Sequence, residues 1–134
     1  AAGVVRLGHR DDVDRLLGAF DVFALASHRE GQPRAAMEAA ASGLPIVATD
    51  IRGCRQVVEH DVSGLLVPVG DAAALRTAIE RLARAPEMAR AMGAAGRRKA
   101  VREFDEREVV RRVLAAYAAV AARKGLTPAL ARPG

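Results

Sequence analysis

The sequence predicts a parallel α/β domain closed by carboxy-terminal helices, and three observations predict it. Short apolar runs of strand length, Val22–Ala26, Ile46–Thr49 and Gly64–Val67, are separated by stretches with helical spacing. Gly and Pro stand at the junctions, as at Gly43 with Pro45 and at Pro68 with Gly70. From Pro86 onward the pattern turns wholly helical. Strands that alternate with helices imply a parallel sheet. The 134 residues suffice for one domain with a real core.

Taken in order, Val4-Val5-Arg6-Leu7 is a β-branched run ending at Gly8, which predicts a first strand and its exit loop. Asp11 or Asp12 caps a short helix with Val13, Leu16 and Leu17 on one face. Val22–Ala26 is a buried strand, and Ser27–Gln32 is the loop that leaves it. Pro33 suits the first position of a helix, where its missing N–H costs nothing. That helix should end at Gly43, which tolerates the left-handed conformation of a helix cap. Ile46–Thr49 is the next strand, Gly53 opens a short helical turn, and Gly64–Val67 is another strand. Asp71 caps a helix bearing Leu75, Ile79 and Leu82. Two more helices follow, over residues 86–102 and 106–122. The second carries Val109, Val110, Val113, Leu114, Tyr117 and Val120 on one side. Residues 1–124 read as the domain and 125–134 as a frayed tail.

Composition narrows the function classes. The chain holds 21 Lys+Arg against 16 Asp+Glu, a formal net charge of +5. Only 3% of residues are aromatic, and no basic run is interleaved with them, which argues against nucleic acid as a partner. Cys54 is the single cysteine, so neither a disulfide framework nor a cysteine cluster for metal is possible within one chain. His9, His28 and His60 show no ligand spacing, so no metal or other cofactor is expected. No run approaches the ~20 apolar residues of a membrane span. A cytoplasmic location fits, with Arg107, Arg111 and Arg112 as a face that could touch anionic lipid at the inner membrane or be simply solvated.

Ligands of open parallel sheets bind beyond the carboxyl ends of the strands. The loop after Ala26 is the most informative of these. It places Glu30 before a helix and Glu38 within it, with seven residues between. Helical side chains tilt toward the amino terminus, so Glu38 leans toward the mouth that Glu30 faces. Between them lie Gly31, which admits a ligand close to the backbone, and a helix terminus with unpaired N–H groups suited to a diphosphate. Two carboxylates accept hydrogen bonds from sugar or ribose hydroxyls. Spacing alone does not choose between such a pocket and two solvated helix-face carboxylates.

The wider string, Ser27-His28-Arg29-Glu30-Gly31-Gln32-Pro33-Arg34-Ala35-Ala36-Met37-Glu38-Ala39-Ala40-Ala41-Ser42-Gly43-Leu44-Pro45-Ile46-Val47-Ala48-Thr49-Asp50, closely resembles the signature of retaining GT-B glycosyltransferases of family GT4. The resemblance continues through Gly53-Cys54-Arg55-Gln56-Val57-Val58 and Gly64–Asp71 and reaches the helices of Phe104 and Tyr117. It implies a Rossmann-like sheet of a GT-B carboxy-terminal domain that takes a nucleotide-diphosphate sugar without a bound metal. By resemblance Glu30 is the catalytic residue, contacting donor-sugar hydroxyls near the reacting centre, and Glu38 binds the ribose. The amides of Gly31, Gln32 and Arg34, beside Pro33, face sugar and diphosphate. The Leu7–His9 loop, with Gly8, lies near the base.

Two departures accompany the resemblance. Gln56 stands where the family usually has Glu. The chain also begins after the first two strands expected of such a domain, after their Arg/Lys pair and after the acceptor-binding domain. The resemblance therefore implies a fragment that is inactive alone, whose Val4–Leu7 strand lacks its neighbour and whose Val22 strand exposes an edge. The expected enzyme is a hexosyltransferase of bacterial polysaccharide or lipid-linked glycan synthesis with a UDP-sugar donor. Two other readings stand beside it: a nucleotide-sugar epimerase of GT-B shape, and a non-catalytic nucleotide-binding or interaction domain. Cys54 is read as a packed small residue, and His28 as a loop histidine that could reach the pocket.

Overall fold

The computed structural model describes residues 3–126; the predicted tail lies mostly outside them. Three parallel strands, β1 (Phe23–Leu25), β2 (Ile46–Thr49) and β3 (Gly64–Val67), form a sheet in that order. Phe23 pairs with Ile46, and Ile46 in turn with Gly64. Among the described residues six helices accompany them: α1 (Val13–Leu17), α2 (Arg34–Ala41), α3 (Arg52–Val57), α4 (Ala72–Arg84), α5 (Pro86–Glu103) and α6 (Glu106–Arg123).

The strand period of two divides the core. All four residues of β2 are buried, and its alternate side chains feed two clusters. Ile46 and Ala48 join Ala36, Ala39 and Ala40 of α2, Cys54 and Val57 of α3, and Ala100 of α5. Val47 joins Leu65 and Val67 of β3, Ala78 and Leu82 of α4, and Met92 of α5. The result is a helix–sheet–helix sandwich. The alanine face of α2 lets α5 approach closely. At Gly93 of α5 a Cβ would collide with the carbonyl oxygen of Gly43, so the contact is backbone on backbone.

Helix α2 ends as its sequence predicts. Gly43 has φ +81°. Its N–H donates to the Ala40 carbonyl at 2.9 Å, and the Leu44 N–H donates to the Ala39 carbonyl at 3.0 Å, the paired bonds of a Schellman cap. Its start differs by one place: Pro33 is the N-cap rather than the first helical residue, and Arg34 begins the helix.

The predicted strand at Val4–Leu7 is absent. These residues have no regular structure, and Val4, Val5 and Leu7 are 72%, 78% and 48% exposed. A β-branched run states only a local preference. Without a neighbouring strand its backbone groups have no ladder to join. β1 is one edge of the described sheet, as expected for a Val22 strand with an open side.

Helix α6 forms where periodicity places it but buries no residue. Its helicity rests on local interactions. The Asp105 side chain caps it by accepting from the Arg107 N–H at 2.9 Å. Glu108 accepts from Arg111 at 2.7 Å and from Arg112 at 2.8 Å, pairs that hold its carboxyl at about 2, well below the ordinary range. Two of the three arginines that could touch lipid or be simply solvated are thus engaged with Glu108. Among the described residues no helix is long and apolar enough to cross a membrane.

Candidate functional site at the carboxyl end of β1

The loop from β1 to α2 carries the predicted residues, and the structure orders it through two neighbours. Ser27 Oγ donates to Glu30 Oε1 at 2.8 Å. The Ser27 carbonyl accepts from Thr49 Oγ1, at the end of β2, at 2.5 Å. Glu30 is half-buried, and the first turn of α3 lies against its backbone. Asp50, next along from Thr49, accepts from Arg55 Nε at 2.6 Å. That hydrogen bond holds the Asp50 carboxyl below the usual carboxylate range and spends it on Arg55. Burial pushes the Cys54 thiol up, which keeps it protonated and suits the packed role.

Helix α2 presents a bare amino terminus. Pro33, the N-cap, has no side-chain acceptor, and the first turn contains no acid. The N–H groups at Arg34, Ala35 and Ala36 precede the first intrahelical donor, Met37, which bonds the Pro33 carbonyl at 3.1 Å. Gly31 and Gln32 are exposed, and nothing lies within 4 Å of a Cβ built on Gly31. This is an open cradle of donors at the positive end of a helix dipole.

Glu38 stands on the exposed face of α2, and its carboxylate has no hydrogen-bond partner among the described residues. A groove of 370 Å³ runs beside it, with Arg34 and Glu38 on its rim and Met37, Ala100, Val101 and Phe104 among its walls. A second hollow of 210 Å³ opens over the strand ends, lined in part by His28, Thr49 and Val67. The groove takes in Arg34 and Glu38 but not Glu30. Gly31, Gln32, Pro33 and Arg34 form a continuous stretch from Glu30 to α2. Gly8 lies in the exposed amino-terminal segment at φ +68°.

Sequence reasoning missed the support beneath Glu30. Thr49 and Gly53 stand within the quoted motifs, but only the folded chain puts one under the Ser27 carbonyl and the other against the Glu30 backbone.

A parallel sheet with helices on both faces is the Rossmann-like arrangement of GT-B domains. The chain belongs to the glycosyl transferases group 1 family, whose model matches residues 1–85. Among curated relatives, it is 37% identical over 115 residues to the D-inositol 3-phosphate glycosyltransferase of Saccharomonospora viridis, covering 85% of this chain and 26% of that protein. It is 37% identical over 103 residues to the amylovoran biosynthesis glycosyltransferase AmsK of Erwinia amylovora, covering 72% of this chain and 25% of that protein. The crystal structure of Anabaena HepE in complex with UDP superposes with a TM-score of 0.82 at 26% identity, covering 84% of this chain and 31% of that one. The chain thus spans about a quarter to a third of the length of these relatives.

Proposed function

We propose that these residues are the donor-binding part of a retaining hexosyltransferase that uses a nucleotide-diphosphate sugar, a UDP-sugar in the simplest reading. One observation carries it: the start of α2 is uncapped, with Glu30 before it and Glu38 within it along the chain. The amides of residues 34–36 and the helix dipole neutralise a diphosphate, first as ligand and then as leaving group. Glu38 accepts from the ribose hydroxyls. Glu30 accepts from the donor sugar near the anomeric carbon, where charge develops as the glycosidic bond to the diphosphate breaks. Gly31 leaves the room a sugar ring needs. The UDP complex of HepE supports the donor class, and a role in bacterial polysaccharide or lipid-linked glycan synthesis is part of the same reading.

The acceptor, in this proposal, is held by parts of a longer chain, since the relatives are several times the length of these residues. Positioning the acceptor is worth ~7–11 kcal/mol of barrier, so residues 1–134 alone bind donor weakly and do not transfer. The test is Glu30→Gln in the longer enzyme. UDP affinity stays within about twofold, because Glu30 faces the sugar, while transfer falls by about 100-fold or more, the scale of losing one electrostatic contact to the transition state. Unchanged kcat would remove Glu30 from the reaction. Interconversion of UDP-sugars without transfer would instead identify the epimerase reading.

A further inference from the structure

Two residues that stand behind the Glu30 loop hold it in place. Thr49 is 4% exposed at the end of β2, and its hydroxyl is spent on the Ser27 carbonyl. Ser27 in turn donates to the Glu30 carboxylate, so a chain of two hydrogen bonds runs from the central strand to Glu30 Oε1. Gly53 is buried at the second position of α3. A Cβ there would collide with the Glu30 carbonyl oxygen and stand 2.9 Å from its carbonyl carbon. The obstacle is backbone, not the flexible end of a side chain, so any larger residue must displace the loop.

We propose that Thr49 and Gly53 are positioning residues for Glu30: together they set the height and angle at which its carboxylate meets the donor sugar. Thr49 fixes the start of the loop through Ser27. Gly53 fixes its end by letting α3 press directly on the Glu30 peptide. Glu30 is the last residue before the exposed Gly31, so a shift at either support is delivered to the carboxylate and to the approach of α2. The inference rests on the reading of Glu30 as the donor-sugar contact.

The experiment uses the longer enzyme that contains these residues. UDP release is measured over a panel of UDP-hexoses and UDP-N-acetylhexosamines, with UDP affinity and Tm alongside, for Thr49→Val, Thr49→Ser, Gly53→Ala and Glu30→Gln. Valine keeps the shape of threonine and loses the hydroxyl, so Thr49→Val lowers kcat about tenfold, the scale of one hydrogen bond. UDP affinity stays within about twofold, and Thr49→Ser restores most of the rate. Gly53→Ala lowers kcat by about 100-fold, the scale of a 1 Å misplacement. A Thr49→Val enzyme that loses Tm but keeps kcat, or a Thr49→Ser enzyme as slow as Thr49→Val, overturns the positioning role. If Gly53→Ala does not fold, the Thr49 pair decides alone. Full turnover by Glu30→Gln, or turnover of no UDP-sugar by the unaltered enzyme, overturns the reading of Glu30 as donor contact. A slow Glu30→Gln beside a normal Thr49→Val overturns only the positioning.

Discussion

The helices after β1 and β3 begin with nearly the same backbone and opposite chemistry. Pro33, before α2, has φ −75° and ψ 92°; Asp71, before α4, has φ −92° and ψ 88°. At α4 the Asp71 carboxylate accepts from the Ala74 N–H at 2.8 Å and closes the terminus. At α2 the ring of Pro33 offers no acceptor, and the terminus stays open, with Glu30 before it and Glu38 within the helix. Both helices follow a parallel strand through a loop holding Pro and Gly, although β3 is mostly buried and β1, expected to be buried, is only half-buried with Ala24 exposed. What separates the two termini is the side chain at one position. A helix that supplies its own anion is closed to another, whereas α2 forgoes that stabilisation and keeps its amides for a ligand.

Moving the acid from one helix to the other breaks the comparison. Pro33→Asp places a carboxylate where the diphosphate is proposed to sit, in a backbone already shaped like that of Asp71. UDP binding to the longer enzyme weakens by about 2 kcal/mol, roughly 30-fold, and because Pro33 is buried the new carboxylate also costs stability, which the cap only partly offsets. Calorimetric titration with UDP and a thermal melt read the two effects. UDP affinity equal to that of the unaltered enzyme would place the diphosphate elsewhere. The reciprocal change, Asp71→Ala, removes a working cap and costs about 1 kcal/mol of stability. UDP affinity stays unchanged, because the proposed diphosphate site is the start of α2, although Asp71 also lines the neighbouring hollow over the strand ends. A denaturant titration beside the same calorimetry checks it, and a loss of UDP affinity without a loss of stability would reverse the roles of the two helices.

Much of this contrast is legible in the sequence. Asp71 before a run with Leu75, Ile79 and Leu82 reads as a cap, and Gly43 reads as a stop, because both act through their immediate neighbours. The buried strands β2 and β3 are legible because a short apolar run between turn residues has few other uses. The bare terminus at Pro33 and the carboxylates around it are visible for the same local reason, although the proline stands one place earlier than its preference suggests. Val4–Leu7 fails because a strand is a relation between two segments, and its own residues report only half of it. Gly53 opens a helical turn as read, but its contact with Glu30 is not legible. A glycine within a short helix signals a close approach, but which backbone approaches is settled by the packing of α3 against the β1–α2 loop. Helix α6 shows both sides: its apolar positions are plain from spacing, yet Val109, Val113 and Tyr117 remain 46%, 47% and 68% exposed.

The central claim is that a nucleotide-diphosphate sugar sits on the open end of α2 with its ribose on Glu38. The most direct measurement is a calorimetric titration of UDP into the longer enzyme and its Glu38→Ala variant at matched salt. Glu38 is exposed and bonded to no described partner, so its removal leaves the core untouched and the melt unchanged. Losing a charge-assisted acceptor for the ribose costs ~1.5–3 kcal/mol, a weakening of roughly 10- to 150-fold. Equal affinities in the two proteins, with both fully folded, would contradict the account.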